Sequence, residues 1–356
     1  MEKLNAAVIG LGRMGAGPSS RLEGLIAAGW LPLGHLECVK EIPGLELKAI
    51  CDVNQTRLEE LGEEHSVKGL YSDGHQLLSE VKPDFLCIAT RTEGRTDLIA
   101  EAVENGASII YFEKPISRSI ADCKRSLQVA GEAGVKLGYG VNRRYHKVYR
   151  EVKKLIDSGK YGSLKEVVIE HGHANLYWAH PHSVDLILFF AGSTDVNFIQ
   201  GSCSFINDYE PEDHNFIDND PLVDNAYFEF SNGVKGSVNQ GIGLNTRLIC
   251  EEGIVTIYSD GAFVEAQAMT STGYLGKTEL LDLESPKESA TITAFRELVA
   301  ANKGSGEAPI TPEEIITGMI MLNGLVCSSL AQGRRISPSE VPETMVITGR
   351  SGDYYA

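Results

Sequence analysis

The sequence has few basic residues for its length, few aromatic residues and no long apolar run. Lysine and arginine total 32 against 49 aspartates and glutamates, and the net charge of −17 argues against nucleic acid or an anionic membrane surface as a partner. No basic N-terminal region precedes an apolar stretch, and no stretch approaches the roughly 18 apolar residues of a membrane span. These absences predict a soluble, cytoplasmic protein.

The seven cysteines form neither a Cys-x-x-Cys pair nor a zinc-type spacing. Several lie in apolar segments, where a reduced thiol acts as a small buried hydrophobe, and this usage fits a reducing compartment. The chain has 356 residues, of which 42% are hydrophobic. A chain of that length has more residues than one hydrophobic core usually serves, so two domains are expected.

A glycine-rich turn directly follows the first apolar strand, with the spacing G-x-G-x-x-G. The first glycine permits a tight turn, the second lets the backbone approach a pyrophosphate, and the third allows close packing of the helix. Backbone amides at the start of that helix would face the phosphates. The expected cofactor contacts here are Gly10, Gly12, Arg13, Met14 and Gly15.

The second apolar strand ends in Asp52. A carboxylate there accepts the ribose hydroxyls and repels a 2′-phosphate, so the sequence predicts NAD rather than NADP. Asp52 stands 37 residues after Gly15, where about 20 is usual. The excess, residues 16–34, is rich in glycine and proline and predicts an inserted loop before a helix over residues 35–41. That loop is either a lid facing the substrate or a surface embellishment.

Strands alternate with helices over residues 1–144, which predicts a doubly wound parallel sheet of the Rossmann type. Over residues 145–335 strands follow one another closely and are joined by turns such as Ser231-Asn232-Gly233. That pattern predicts an α+β domain with a large, open, mostly antiparallel sheet. Residues 336–356 are expected to form a C-terminal tail.

Six pieces of the sequence occur in an informative order and spacing: the glycine turn, Cys51-Asp52, Cys87-Ile-Ala-Thr90, Glu113-Lys114-Pro115, Asn142-Arg143-Arg144 and His182-Ser-Val-Asp185-Leu. Together they resemble the Gfo/Idh/MocA oxidoreductase family, and the likeness runs from residue 5 to about residue 335. The resemblance implies a tightly held nicotinamide nucleotide and hydride exchange with a secondary hydroxyl of a sugar or cyclitol, as in inositol dehydrogenases. It also implies a homodimer or homotetramer.

The resemblance assigns Lys114, which follows a buried strand, to the reacting oxygen, and His182 to acid/base catalysis. Residues 181–191 predict an apolar helix, and at its start the macrodipole would keep the imidazole neutral. The alternative interpretations are that Lys114 is an ordinary surface lysine at a strand end and that His182 is a structural histidine. Asp185 either orients His182 or only satisfies the helix dipole. The remaining cofactor contacts that the resemblance implies are Thr90, Glu113, Lys114 and Asn142.

The chain departs from the family pattern four residues before His182, where the usual aspartate is Trp178. An indole cannot relay a proton, so His180, His173 or a water would have to compensate. The run from His171 to His182 also suggests a metal, but zinc would need a third ligand, and no metal is predicted. We expect this run instead to form a wall of the substrate site, in which Tyr177 or Trp178 stacks on the apolar face of a sugar.

A second departure follows Thr90, where Arg91 and Arg95 replace the usual proline and histidine. Guanidiniums suit carboxylate or phosphate, which suggests an anionic group on the substrate. The alternative pairs both arginines with Glu93 or Asp97 on a solvated face. The residues predicted to contact substrate are Arg91, Arg144, Tyr177, Trp178, His180 and Asp185.

The leading hypothesis is an NAD-dependent sugar or cyclitol dehydrogenase in which Lys114 and His182 act at the reacting oxygen. A second hypothesis is a glycosidase or lyase that oxidises one ring carbon with bound NAD, eliminates at its neighbour and returns the hydride. That reaction needs a further base, supplied by His180 or Tyr177. A third is a non-catalytic, nucleotide-sensing regulator with the same fold.

Overall fold

The structure is a computed structural model that describes residues 3–171, 173–204 and 215–349. Its first sheet contains β1 (Leu4–Ile9), β2 (Leu45–Cys51), β3 (Gly69–Tyr71), β4 (Phe85–Ile88), β5 (Ile109–Phe112) and β6 (Lys136–Tyr139). All pairs are parallel and the strand order is β3-β2-β1-β4-β5-β6. This order confirms the predicted doubly wound sheet. In sheets of this kind ligands bind where the strand order reverses, which here is at the carboxyl ends of β1 and β4.

The helices of this half are α1 (Arg13–Ala16), α2 (His35–Glu41), α3 (Gln55–His65), α4 (Gly74–Val81), α5 (Arg95–Glu104) and α6 (Ile120–Glu132). Side-chain oxygens of Asn54, Asp73 and Ser119 cap α3, α4 and α6. All residues of β4 and β5 are buried because helices cover both faces of the sheet. Six of the seven cysteines are buried, and none is in a disulfide.

The insertion at residues 16–34 interrupts the helix that follows the glycine turn. Helix α1 has four residues, a short 3-10 helix follows at Ser19–Leu22, and the chain re-enters an α-helix only at α2, as predicted. A Cβ on Gly34 would lie 3.0 Å from the carbonyl oxygen of Gly17, so the two helical pieces meet. Between them, Trp30 stacks on His146 with ring centroids 4.6 Å apart. The end of the insertion therefore packs against the second half of the chain.

The second half contains α7 (Lys147–Asp157), β7 (Leu164–Glu170), β8 (Ala174–Asn175), α8 (Leu176–Ala191), β9 (Val196–Ser204), β10 (Phe216–Ile217), β11 (Leu222–Phe230), β12 (Lys235–Asn239), β13 (Asn245–Cys250), β14 (Gly253–Tyr258), β15 (Phe263–Ala268), β16 (Glu279–Leu280), α9 (Ala290–Asn302), α10 (Pro312–Leu330) and β17 (Val346–Ile347). Its large sheet has the order β16-β15-β14-β13-β7-β12-β11-β8, with β9 also on β11. Strand β12 pairs with β7 in parallel, and the other pairs are antiparallel. The predicted mostly antiparallel sheet is confirmed.

Helix α9 returns to the first sheet. Phe295 on α9 contacts Phe85 and Tyr111, with ring centroids 5.1 and 4.9 Å apart. The predicted boundary at residue 144 separates the two sheets but not the helices that cover them. The predicted tail also returns, since Ile347 donates its backbone amide to Arg118 at 3.0 Å. Residues 350–356 of that tail lie outside the described residues.

Helix α10 is long and apolar enough by composition to cross a membrane, but more than half of that stretch is buried inside the protein. It packs on α8 and β9, where Ser328 accepts the amide of Gly201 at 3.0 Å. A capping box of Thr311 and Glu314 begins it. These contacts are those of a core helix.

Candidate functional site

The glycine turn between β1 and α1 leaves room for a pyrophosphate. Gly10 has φ +89°, and a Cβ there would lie 2.7 Å from the backbone of Thr90. A Cβ on Gly15 would lie 1.8 Å from the carbonyl oxygen of Gly10, whereas one on Gly12 would meet nothing within 4 Å. The open side at Gly12 and the first-turn amides at Arg13 and Met14 fit a dinucleotide phosphate.

Asp52 follows β2 and faces the same turn. Its Oδ2 accepts the amide of Leu11 at 2.6 Å, and its Oδ1 accepts the amide of Asn54 at 2.9 Å. Each carboxylate oxygen keeps a lone pair for a ribose hydroxyl. Thr90 lies two residues after β4, on the other side of Gly10, and its hydroxyl donates to the backbone carbonyl of Arg91. Both residues lie where a dinucleotide would run along the carboxyl edge of the sheet.

Strand β5 delivers Glu113 and Lys114 to this edge. Glu113 is 5% exposed and forms a 2.9 Å contact with Nε2 of the fully buried His35, the first residue of α2. Its side chain therefore points into the protein, where its contact with His35 links the start of α2 to the end of β5. Asn142 is buried as well: its Oδ1 accepts from Tyr111 at 2.6 Å and its Nδ2 donates to Thr291 at 3.3 Å.

Lys114 lies between the two halves of the chain. Its Nζ donates to the carbonyl oxygen of Trp178 and sits 4.5 Å from the centroid of that indole. Burial lowers the pKa of Lys114 to about 8, against the carboxylates of Glu113 and Asp220, which raise it. Two ammonium protons remain for a ligand oxygen.

His182, on α8, lies near enough to Lys114 and Arg143 for their charges to act on its ring. Burial lowers its pKa well below the ordinary 6.5, and the neighbouring Arg143 and Lys114 lower it further, so the ring is neutral. Its Nδ1 is buried without a hydrogen-bond partner, and the same holds for Nδ1 of His171. The pKa of His171 is lowered to about 4, again mainly by burial. The ring centroid of His180 lies 5.5 Å from that of His171, and its Nδ1 lies 3.1 Å from the hydroxyl of Ser183.

The helix that carries His182 does not begin where the sequence predicts. It begins at Leu176 rather than at Pro181, which lies inside it. His182 is therefore in the second turn, beyond the reach of a first-turn dipole. The expected cause of its neutrality is wrong, and burial beside two cations replaces it.

Several predicted substrate residues make contacts inside the protein instead. Arg144 is 3% exposed and binds Asp185 through Nε at 2.9 Å and Glu314 through Nη2 at 3.0 Å. Asp185 therefore pairs with an arginine, which corrects the expectation that it orients His182. Tyr177 is 1% exposed and donates to Asn323 at 2.8 Å, so it offers no stacking face. Trp178 is half-buried and lies at the site.

The two arginines after Thr90 differ. Arg95 is 1% exposed and donates to the backbone carbonyls of Thr90, Glu113 and Pro115, at the ends of β4 and β5. It is neither an anion receptor nor a solvated ion pair, so both predictions for Arg95 are wrong. Arg91 is exposed. Within the described ranges, no group of three histidine, cysteine, aspartate or glutamate side chains could hold a metal ion.

Two features of the site escape sequence reasoning. The buried carboxylate of Asp220 accepts the amides of Tyr177 and Trp178, at the start of α8. Arg143 is held by Asp260, through Nε at 2.9 Å and Nη2 at 2.6 Å, under the indole of Trp30. A signal existed for Trp30, because it is one of two tryptophans and stands in a glycine- and proline-rich loop.

Comparison with known proteins shows which family the first part of the chain resembles. Residues 4–141 match the family model GFO_IDH_MocA, described as an oxidoreductase family with an NAD-binding Rossmann fold. Myo-inositol 2-dehydrogenase of Thermotoga maritima is 30% identical over 139 residues, which cover 39% of this chain and 41% of that protein. The NAD-dependent scyllo-inositol 2-dehydrogenase of Bacillus subtilis is 24% identical over 250 residues, 67% of each chain. The chain spans about two fifths of the length of most curated relatives it matches.

The likeness of the fold extends over both domains. An oxidoreductase from Agrobacterium radiobacter, solved in complex with NAD+, L-tartaric acid and magnesium, superposes with a TM-score of 0.72 at 17% identity. The superposition covers 95% of this chain and 99% of that one. The likeness of the fold therefore includes the large sheet of the second half as well as the first sheet.

Proposed function

We propose that this chain, whose residues 4–141 match the model of the NAD-binding oxidoreductase family, is a Gfo/Idh/MocA-type oxidoreductase that transfers a hydride between NAD and a secondary hydroxyl of an uncharged sugar or cyclitol. The observation that carries the proposal is that Lys114, at the carboxyl edge of the first sheet, lies near enough to His182 for its charge to lower the pKa of that imidazole. An ammonium and a neutral imidazole are what removal of a hydroxyl proton requires there. The inositol dehydrogenases among the relatives support this substrate class.

The residues divide the work by charge. Gly10, Gly12 and Gly15 would hold the pyrophosphate and Asp52 the ribose, and the bound nicotinamide would accept the hydride. Lys114 donates a hydrogen bond to the reacting oxygen and stabilises the negative charge that develops on it. His182, neutral because burial lowers its pKa, takes the hydroxyl proton.

The pairing of three arginines with protein oxygens favours an uncharged substrate over the anionic one that the sequence suggests. Arg95 is committed to backbone carbonyls, Arg143 to Asp260 and Arg144 to Asp185 and Glu314. Each of these guanidiniums already donates to protein oxygens through at least two of its N–H groups, so a bidentate pair with a substrate carboxylate would compete with contacts inside the protein.

A screen of matched substrate pairs tests this. We expect kcat/KM for a neutral sugar or inositol to exceed that for the corresponding uronic acid by about tenfold or more, because an unpaired buried carboxylate is costly. Glucose with glucuronate, galactose with galacturonate, and myo- and scyllo-inositol are assayed by absorbance of reduced cofactor. Faster turnover of the acids would restore the anionic interpretation, and no turnover of any polyol would contradict the proposed activity.

Cofactor choice gives a second test. Replacing Asp52 with alanine is expected to raise the KM for NAD about tenfold and to permit NADP, because the carboxylate that binds the ribose and repels the 2′-phosphate is lost. Initial rates with both cofactors measure this, and Asp97→Ala, which removes an exposed carboxylate paired with Arg125, is the control. An unchanged preference for NAD would mean that a residue other than Asp52 discriminates between NAD and NADP.

We do not propose the elimination reaction, because neither of its candidate bases is open to a ligand: the hydroxyl of Tyr177 is buried and donates to Asn323, and His180 is 1% exposed with its Nδ1 3.1 Å from the hydroxyl of Ser183. A regulator without catalysis has no observation in its favour at a site that retains both Lys114 and His182. Assembly as a homodimer or homotetramer and a cytoplasmic location remain predictions; gel filtration with light scattering would test the first.

A further inference from the structure

Asp220 caps the helix that carries His182. It precedes β11, is 2% exposed, and accepts the amide of Tyr177 through Oδ1 at 2.7 Å and that of Trp178 through Oδ2 at 3.0 Å. Asn175, at the N-cap position of α8, contributes no side-chain bond to the helix. One carboxylate from a distant loop thus holds two of the first-turn amides that no helical carbonyl can reach.

The same turn holds Lys114. The carbonyl oxygen of Trp178 accepts from Nζ of Lys114, and the Trp178 ring lies against that ammonium. Because Asp220 fixes the amides of Tyr177 and Trp178, it also fixes the direction of the carbonyl that follows them. The lysine from the first domain is therefore oriented by a peptide group whose position is set by Asp220.

We infer that Asp220 is a positioning residue for Lys114, acting through the first turn of α8 and supplying a carboxylate where Trp178 replaces the usual aspartate. The inference rests on the proposed role of Lys114. It predicts that the charge of Asp220 reaches Lys114 and that its hydrogen bonds aim Nζ at the substrate. A cap that served only stability would affect neither.

The electrostatics agree with the geometry. The titratable and charged groups that interact electrostatically with Lys114 are Glu113, Asp220, Arg143, Arg95, His182 and His171. The two carboxylates raise the pKa of Lys114 and the two arginines lower it, against a background of burial that brings it to about 8. Loss of the Asp220 charge would therefore favour the neutral amine.

The test compares Asp220→Asn with Asp220→Ala and with Asp224→Asn. Asparagine keeps one acceptor for the helix amides but removes the charge, so the variant retains part of the cap. Asp224 lies on β11 and accepts from Ser204 at 2.8 Å, which makes it a matched control. The readout is acetylation of Lys114 by acetic anhydride across a pH series, measured by peptide mass spectrometry on the full chain without substrate.

We expect the titration midpoint of Lys114 to fall by about one pH unit in Asp220→Asn and to stay in place in Asp224→Asn. The alkaline limb of kcat/KM should move by the same amount, and kcat should fall about tenfold or more while KM changes little. An unchanged midpoint with a lower melting temperature would overturn the inference and leave a structural cap. A shifted midpoint in a protein that turns over no polyol would sustain the inference while refuting the proposed function.

Discussion

Replacing Lys114 with methionine is expected to lower kcat/KM about 10³-fold. Methionine keeps an apolar stem of similar length against the Trp178 ring, so the packing at the site survives while the ammonium is lost. The effect should fall on kcat, because the ammonium binds the oxygen most strongly when that oxygen carries negative charge. NAD titration of the variant, followed by tryptophan fluorescence, should show cofactor binding retained.

A matched control exists on the surface. Lys124 on α6 is 41% exposed and pairs with Glu343, so Lys124→Met should leave kcat/KM unchanged. Lys114→Arg keeps the charge but should stay slow, since a planar fork cannot reproduce the donor position of an ammonium. If Lys114→Met retained activity within about tenfold of the wild type, the charge at the reacting oxygen would have to come from elsewhere.

The sequence was sufficient for the part of the site that depends on neighbouring residues and sheet topology. A glycine turn after a buried strand, Asp52 at the end of the next one and Lys114 at the end of another must meet at one edge, because parallel strands carry their carboxyl ends to the same side. The break between α1 and α2 could also be predicted, from the glycines and prolines between them. No distant contact was needed for either.

The start of α8 could not be predicted because distant residues decide it. Proline favours the first position of a helix, so the pattern places the start at Pro181. In the structure Asp220 holds the amides of Tyr177 and Trp178, and this cap extends the helix by a turn and more ahead of the proline. Nothing around Asp220 in the sequence, which reads Asn-Asp-Pro-Leu, distinguishes it from an ordinary turn aspartate.

The roles of the arginines could not be predicted from the sequence for the same reason. Arg95 and Arg144 stand among polar residues in the sequence, where a solvated or ligand-binding side chain is the natural expectation. Each is buried because carbonyls or carboxylates from other elements surround it, Glu314 lying 170 residues from Arg144. Because these two guanidiniums bind protein oxygens, they give no support to an anionic substrate, and the tertiary contacts bear directly on the proposed substrate class.

His182→Ala is expected to lower kcat/KM between about 10²- and 10⁴-fold and to change the shape of the pH profile. Because the pKa of His182 is lowered well below 6.5, mainly by burial, the wild-type enzyme should hold its activity down to mildly acidic pH and lose it only as the imidazole gains a proton. At the other end, activity should fall as pH rises through about 8, where Lys114 loses its proton.

The alanine variant should lose the acid limb of this profile and keep the alkaline one, and added imidazole should restore part of its rate by filling the space of the missing ring. His173→Ala is the matched control, since that histidine is exposed and lies 3.9 Å from Asp224. An acid limb that persists after His182→Ala would assign the base to His171 or His180. Loss of both limbs together would instead mean that His182 and Lys114 titrate as a coupled pair, with each macroscopic pKa belonging to the pair.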